Sequence, residues 1–269
     1  MTMGRAVPGS WAGALGGGDP RGRDRPHRTA LVTGATGRIG RAVAARLAED
    51  DFDLYVCARD AGAVAETVAA LRAKGVKADG MAADVRDPRA AAELAEAAVA
   101  CHGRLDVLVN NSGRDGGGVT AELTDELWLD IIETNLNSVF RVTREMLRQG
   151  GAVGRGWGRI ITIASTAGKQ GVVRGAPCSA SEHAVVGFTK ALGLELAATG
   201  VTVNAVCPGY VHGPPAAGVP PDRRFDPTIP LGRRTTTEEV AGMVGHLVGD
   251  HAAAITAQAI NVCGGLVSH

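Results

Sequence analysis

The chain has 269 residues, a formal net charge of +0 and 45% hydrophobic residues. That length supports one domain with a full core, and the neutral balance gives no sign of a nucleic-acid or anionic-membrane partner. No apolar run nears the roughly 18 residues a membrane helix needs, and no signal-peptide core precedes Gly16–Gly18, so a cytoplasmic protein is expected.

Residues 1–27 are rich in Gly, Pro and Arg and lack a hydrophobic period, which reads as a flexible arm ahead of one domain at 28–269. Thr29–Thr33 is a short apolar run suited to a parallel strand buried on both faces. A helix at Arg38–Asp50 and a strand at Asp53–Ala58 follow. The alternation continues with helix Ala61–Lys74, strand Lys77–Ala83, helix Pro88–His102 and strand Leu105–Asn110. A long helix is expected over Leu123–Gln149, then strand Arg159–Ala164, helix Ser179–Thr199 and strand Val201–Val206. The Pro- and Gly-rich stretch Pro208–Pro230 interrupts the rhythm before helix Thr237–Gly249 and strand Gln258–Cys263. Repeated βα units predict the α/β class, a single Rossmann-type doubly wound parallel sheet of about seven strands with helices on both faces.

The first strand runs into Gly34-Ala-Thr36-Gly37-Arg38-Ile39-Gly40 at the start of a helix. Glycine is needed there because a tight turn must bring backbone N–H groups and a helix N-terminus against a pyrophosphate. The second strand ends at Ala58-Arg59, without the carboxylate that would hold an NAD ribose 2′-hydroxyl. Arg38 and Arg59 instead suit a 2′-phosphate, so NADP(H) is the expected cofactor; the alternative is that both arginines are merely solvated. The five cysteines are scattered, without zinc spacing, and no metal site is expected.

Taken with Asp84-Val85, Asn110-Asn-Ser-Gly113, Thr134-Asn135-Leu136, Ile163-Ala-Ser165 and Cys207-Pro-Gly209, the glycine turn makes residues 28–269 resemble the short-chain dehydrogenase/reductase family. The runs Ala121–Asp130, Ser165–Val173, Gly187–Leu196 and Ala257–Gly265 more narrowly resemble ketoreductases of bacterial aromatic (type II) polyketide pathways. The resemblance implies that Asp84 and Val85 contact adenine, that Asn110 or Asn111 lines the ribose with Gly113, and that Pro208 and Gly209 pass beside the nicotinamide. It places Asn135 and Ser165 in a proton relay completed in the family by Tyr-x-x-x-Lys. Here Cys178 and Glu182 stand at those last two positions. Other departures are Gly213 for a carboxamide-holding threonine, Asp115 opening Asp115-Gly-Gly-Gly118 where relatives have proline, and a shortened substrate lid at about 210–230.

A thiol near pKa 8.5 is acidic enough to replace a phenol, yet it reaches roughly 4 Å less far. Cys178 is therefore either an activated residue or a small inert thiol filling the tyrosine gap. Glu182 is either a general acid/base with a raised pKa or a solvated or salt-bridged residue, with Lys169 or Arg174 as partner. The main expectation is a non-redox step (cyclisation, dehydration or ring opening) on a polyketide-derived substrate. One alternative is an NADPH-dependent reductase of a quinone, enone or ketone with atypical proton delivery. The other is a silent subunit paired with an active homologue. The resemblance implies a homotetramer or homodimer, assembled through the long helices.

Overall fold

The structure is a computed structural model describing residues 27–212 and 226–269. The arm expected at 1–27, except His27, lies outside the described residues, as do Gly213 and most of the lid expected at 210–230.

Seven parallel strands are ordered β3-β2-β1-β4-β5-β6-β7. They are β1 (Thr29–Thr33), β2 (Asp53–Ala58), β3 (Ala78–Ala82), β4 (Val107–Asn110), β5 (Gly158–Ile163), β6 (Val201–Pro208) and β7 (Gln258–Val262). The helices are α1 (Arg38–Glu49), α2 (Ala61–Arg72), α3 (Pro88–His102), α4 (Asp125–Ile132), α5 (Ser138–Gln149), α6 (Ala152–Arg155), α7 (Ala176–Leu196) and α8 (Thr237–Val248). Strand order reverses between β1 and β4, which pair from Ala30↔Val107 to Val32↔Val109. A crevice opens at such a switch point, outside the carboxyl ends of the strands.

The period of two sorts the strand residues between the two faces. Ala30, Val32, Leu54 and Val56 pack with Val43 and Leu47 of α1 and Val244 and Leu247 of α8. Leu31, Tyr55, Leu108 and Ile160 turn to the opposite face, against Leu94 of α3, Met146 of α5 and Leu192 of α7. Every residue of β1 is buried, as covering both faces requires.

Two expected helices differ in detail. The long helix begins at Asp125 behind Thr124, whose side chain accepts from the Leu127 N–H, and is interrupted by a π-helical segment, Glu133–Asn137. The helix expected from Ser179 begins at Ala176, because Pro177 occupies its first turn, where no N–H is needed. Cys178 consequently lies in the first turn, with Glu182 one turn along. No helix among the described residues is long and apolar enough to cross a membrane.

Candidate functional site

A cavity of about 940 Å³ occupies the switch-point crevice and is walled by the β1–α1 turn, the ends of β2 and β3, and the loop after β4. Gly34 bends the chain there with φ +61, and a Cβ on it would lie 3.0 Å from the Asn111 side chain and 3.1 Å from Ser112 Cα. Thr33 Oγ1 accepts from the backbone N–H groups of Asn111 (2.9 Å) and Ser112 (3.0 Å). Asn111 Nδ2 donates back to the carbonyls of Thr33 (3.1 Å) and Gly34 (3.0 Å). The two loops that form the crevice are thus fastened to each other. At the N-terminus of α1, Gly37 offers no side-chain cap, leaving first-turn N–H groups open to an anion.

Gly34, Thr36, Gly37, Arg38, Ile39, Arg59, Asp84, Val85, Asn111 and Gly113, all candidates from the sequence, line this cavity. Arg38 and Arg59 are exposed and, among the described residues, make no ion pair. The arrangement fits a dinucleotide: a tight turn, uncapped helix N–H groups and two available guanidinium groups at one end.

Four expected positions lie elsewhere. Asn110 is only 3% exposed and donates to Thr143 Oγ1 of α5 at 3.0 Å, so of the two asparagines only Asn111 lines the cavity. Gly40 supports the turn from behind: a Cβ there would be 2.3 Å from the Gly34 carbonyl oxygen. Pro208 ends β6, pairing with Val262, and the Gly209 N–H donates to the Val262 carbonyl at 3.1 Å; neither lines the cavity.

Asp84 lines the cavity but is occupied. Arg86 Nε lies 3.0 Å from both of its carboxylate oxygens, and this pairing holds Asp84 below the usual carboxylate range. Arg86 also reaches Asp130 Oδ1 at 2.5 Å, and Arg114 pairs with Asp130. Sequence reasoning missed this rim of Asp84, Arg86, Arg114 and Asp130, because the Arg86–Asp130 pair alone bridges 44 positions.

At the other end, Ser165 follows β5 and caps the 3-10 turn Thr166–Gly168, its Oγ accepting from the Ala167 N–H at 3.1 Å. Asn135 sits buried within the π-helical segment. Its Oδ1 accepts from the Arg114 N–H at 2.8 Å, while Nδ2 donates to the Arg114 carbonyl (3.0 Å) and to Ser181 Oγ (3.2 Å). The amide expected in the proton relay therefore ties the loop after β4 to α7.

Cys178 makes a similar tie. Its thiol donates to the Gly116 carbonyl at 2.9 Å and lies 3.4 Å from Asp115 Oδ1. Burial, with the charges of Asp115 and Glu182, pushes this thiol up to about 11. A thiol raised in this way is disfavoured as a thiolate near neutral pH. Glu182 answers differently. Burial, reinforced by Asp115, raises its carboxyl to about 7. The anticipated salt bridge is absent among the described residues, because Lys169 Nζ donates instead to the carbonyls of Ala259 (2.9 Å) and His269 (3.1 Å). His183 is turned to its own helix, with Nδ1 2.8 Å from the Ser179 carbonyl.

A smaller cavity of about 480 Å³ lies beyond, between Asp115–Gly118 and Val172–Gly175. Its walls combine the apolar Val172 and Val173 with the charged Asp115 and Arg174. Ser165, Cys178, Glu182 and Asn135 line neither cavity directly.

The short chain dehydrogenase model matches residues 28–223. The chain belongs to that family. A Streptomyces virginiae protein named as a ketoacyl reductase of the monensin polyketide synthase is 58% identical over 252 residues, covering 89% of this chain and 97% of the relative. A Streptomyces coelicolor protein, also named as a ketoacyl reductase, is 55% identical over 250 residues, 88% of this chain and 96% of its own. Among solved structures, an actinorhodin polyketide ketoreductase variant with NADPH superposes with a TM-score of 0.85 at 53% identity. That match covers 90% of this chain and 98% of the other. These relatives overturn the expected non-redox cyclisation, dehydration or ring opening: proteins this similar over nearly their full length carry reductase names.

Proposed function

We propose that this chain is an NADPH-dependent reductase, acting in the cytoplasm on a carbonyl of a polyketide-derived substrate, with proton delivery altered by Cys178 and Glu182. The observation that carries the reading is the crevice at the sheet's switch point, in which the glycine turn, the uncapped start of α1, Arg38 and Arg59 converge. The dinucleotide, when bound, supplies a hydride.

The chain's own residues bind and orient. Arg38 and Arg59 hold a 2′-phosphate through charge-assisted hydrogen bonds, and the Gly34–Gly37 turn admits the diphosphate. Asn135 fixes the loop that separates the two cavities. Ser165 retains a hydroxyl hydrogen to direct at the substrate oxygen, since the contact with Ala167 uses it only as an acceptor. Val172 and Val173 offer an apolar wall to a substrate carbon skeleton. Self-association along α4, α5 and α7 belongs to the same proposal, supported by the exposed apolar Trp128, Leu129, Phe140 and Leu194 on those helices.

Calorimetry tests the binding half directly. Micromolar NADPH binding that is lost in Arg38→Ala/Arg59→Ala is expected; no detectable binding by the native chain would end the redox reading.

A further inference from the structure

Ser165 and Lys169 are the two ends of one short turn. Ser165 Oγ accepts from the Ala167 N–H at 3.1 Å, and the Gly168 N–H donates to the Ser165 carbonyl at 2.9 Å. The Lys169 N–H donates to the Thr166 carbonyl, also at 2.9 Å. Thr166, Ala167 and Gly168 are buried, and a Cβ on Gly168 would lie 2.7 Å from the Glu182 carbonyl oxygen of α7. In front, the turn continues β5, where the Ala164 N–H donates to the Val206 carbonyl at 2.8 Å. Bonded through the residues between them, the two ends move together, so whatever holds Lys169 holds Ser165.

Lys169 is held by distant parts of the chain. Its Nζ donates to the carbonyl of Ala259 on β7, 90 positions away, at 2.9 Å. It also donates to the carbonyl of His269, 100 positions away, at 3.1 Å. Bonds from a charged donor are stronger than neutral ones. His269 returns the tie, its Nε2 lying 3.0 Å from the Lys169 carbonyl. A carbonyl only accepts, so the imidazole carries a hydrogen on Nε2 and donates it. The His269 carbonyl is itself fixed, because Asn261 Nδ2 of β7 donates to it at 3.1 Å and to the Val267 carbonyl at 3.1 Å. The segment after β7 thus folds back along its own strand and grips Lys169 by side chain and backbone.

Ser165 has little other support. Among the described residues, the Ala167 N–H is the one hydrogen-bond partner of its Oγ. The Cys178 thiol is turned to Gly116, and the Asn135 amide to Arg114 and Ser181. We propose that Lys169 and His269 are positioning residues for Ser165, forming a strap that fixes the turn on which the serine hydroxyl is carried. This rests on the reductase reading, in which that hydroxyl meets the substrate oxygen. A misplacement of about 1 Å at such a contact costs up to about 100-fold in rate. Neither Lys169 nor His269 lines a cavity, so the strap acts on turnover and not on dinucleotide capture.

Amide hydrogen exchange tests the strap without cofactor or substrate. In the full chain carrying Lys169→Met, the amides of residues 167–170 should exchange about tenfold faster, with those of residues 34–40 unchanged. Lys169→Arg should restore most of the protection, and His269→Ala should give a smaller acceleration of the same amides. Native exchange in both Lys169→Met and His269→Ala overturns the proposal; if Lys169→Met does not fold, His269→Ala carries the reading. Deuteride transfer from labelled NADPH to a cyclic ketone then tests the role. Lys169→Met should lower kcat about tenfold with NADPH affinity unchanged. In a Ser165→Ala background the same substitution should lower kcat by less than about twofold, because the two changes act through one hydroxyl. An equal fall in both backgrounds, or unaltered transfer in Lys169→Met, overturns the positioning role. Faster exchange in Lys169→Met with no transfer by the native chain overturns the reductase reading and the positioning role with it.

Discussion

The two ends of the site are built on opposite principles. At the adenine end, backbone geometry does the work: a left-handed glycine, an uncapped helix and a network of Asn111 and Thr33 bonds make a cradle before any ligand arrives. Arg38 and Arg59 are exposed there and, among the described residues, make no ion pair. At the other end, side chains from α7 are latched to the loop after β4. One end is formed to receive phosphate; at the other, Glu182 is buried and its carboxyl is raised to about 7.

The strongest way to break this contrast is at the turn. Gly40→Val places a side chain where even a Cβ would be 2.3 Å from the Gly34 oxygen, a backbone atom that cannot step aside. We expect a loss of more than about 3 kcal/mol and no measurable dinucleotide binding, checked by denaturant melts and calorimetry. Next comes Arg38→Ala/Arg59→Ala, which should weaken NADPH by about 100-fold while leaving NADH almost unaffected.

The acidic end is sharpened by pH. The Glu182 carboxyl is raised from 4.5 to about 7 in the folded chain. Between those values the folded state binds the extra proton, so stability falls as pH rises from about 4.5 to 7 and the penalty is complete above that window. Glu182→Gln should therefore stabilise the protein at pH 8, by on the order of 2 kcal/mol after allowance for partial exposure, and have little effect below pH 5. Paired melts at the two pH values check the sign. The smallest effect is expected from Cys178→Ala, which removes one thiol donor at the latch: less than about 1 kcal/mol by melting, with unchanged NADPH affinity.

The sequence foretold much of the cradle, because a glycine turn between a buried strand and a helix has a spacing that geometry enforces. Asn110 could also have been placed correctly. It shares strand parity with Leu108, and Leu108 faces α5, which is where Asn110 finds Thr143. The π-helical segment was not legible, since an apolar period does not register one extra backbone residue, yet that segment carries Asn135 inward. The early start of α7 was missed because Pro177 reads as a breaker, although proline is welcome in a first turn. Asp115 was visible as an oddity in its glycine run. Its charge bears on Glu182 from 67 positions away in sequence, which no local pattern encodes. The main functional expectation failed for a related reason: two altered side chains were weighed as the loss of a reaction, while the near full-length relatives point to the same reaction class.

Hydride transfer to a substrate carbonyl is the step on which the proposed function stands. The most direct measurement incubates the native chain with NADPH deuterated at the transferring position and a bicyclic ketone of polyketide type, then locates the label by mass spectrometry and NMR. Deuterium is expected on the carbinol carbon of an alcohol formed in step with NADPH oxidation. NADPH bound at micromolar affinity, with no labelled alcohol above the heat-inactivated control across a panel of cyclic ketones, would contradict it.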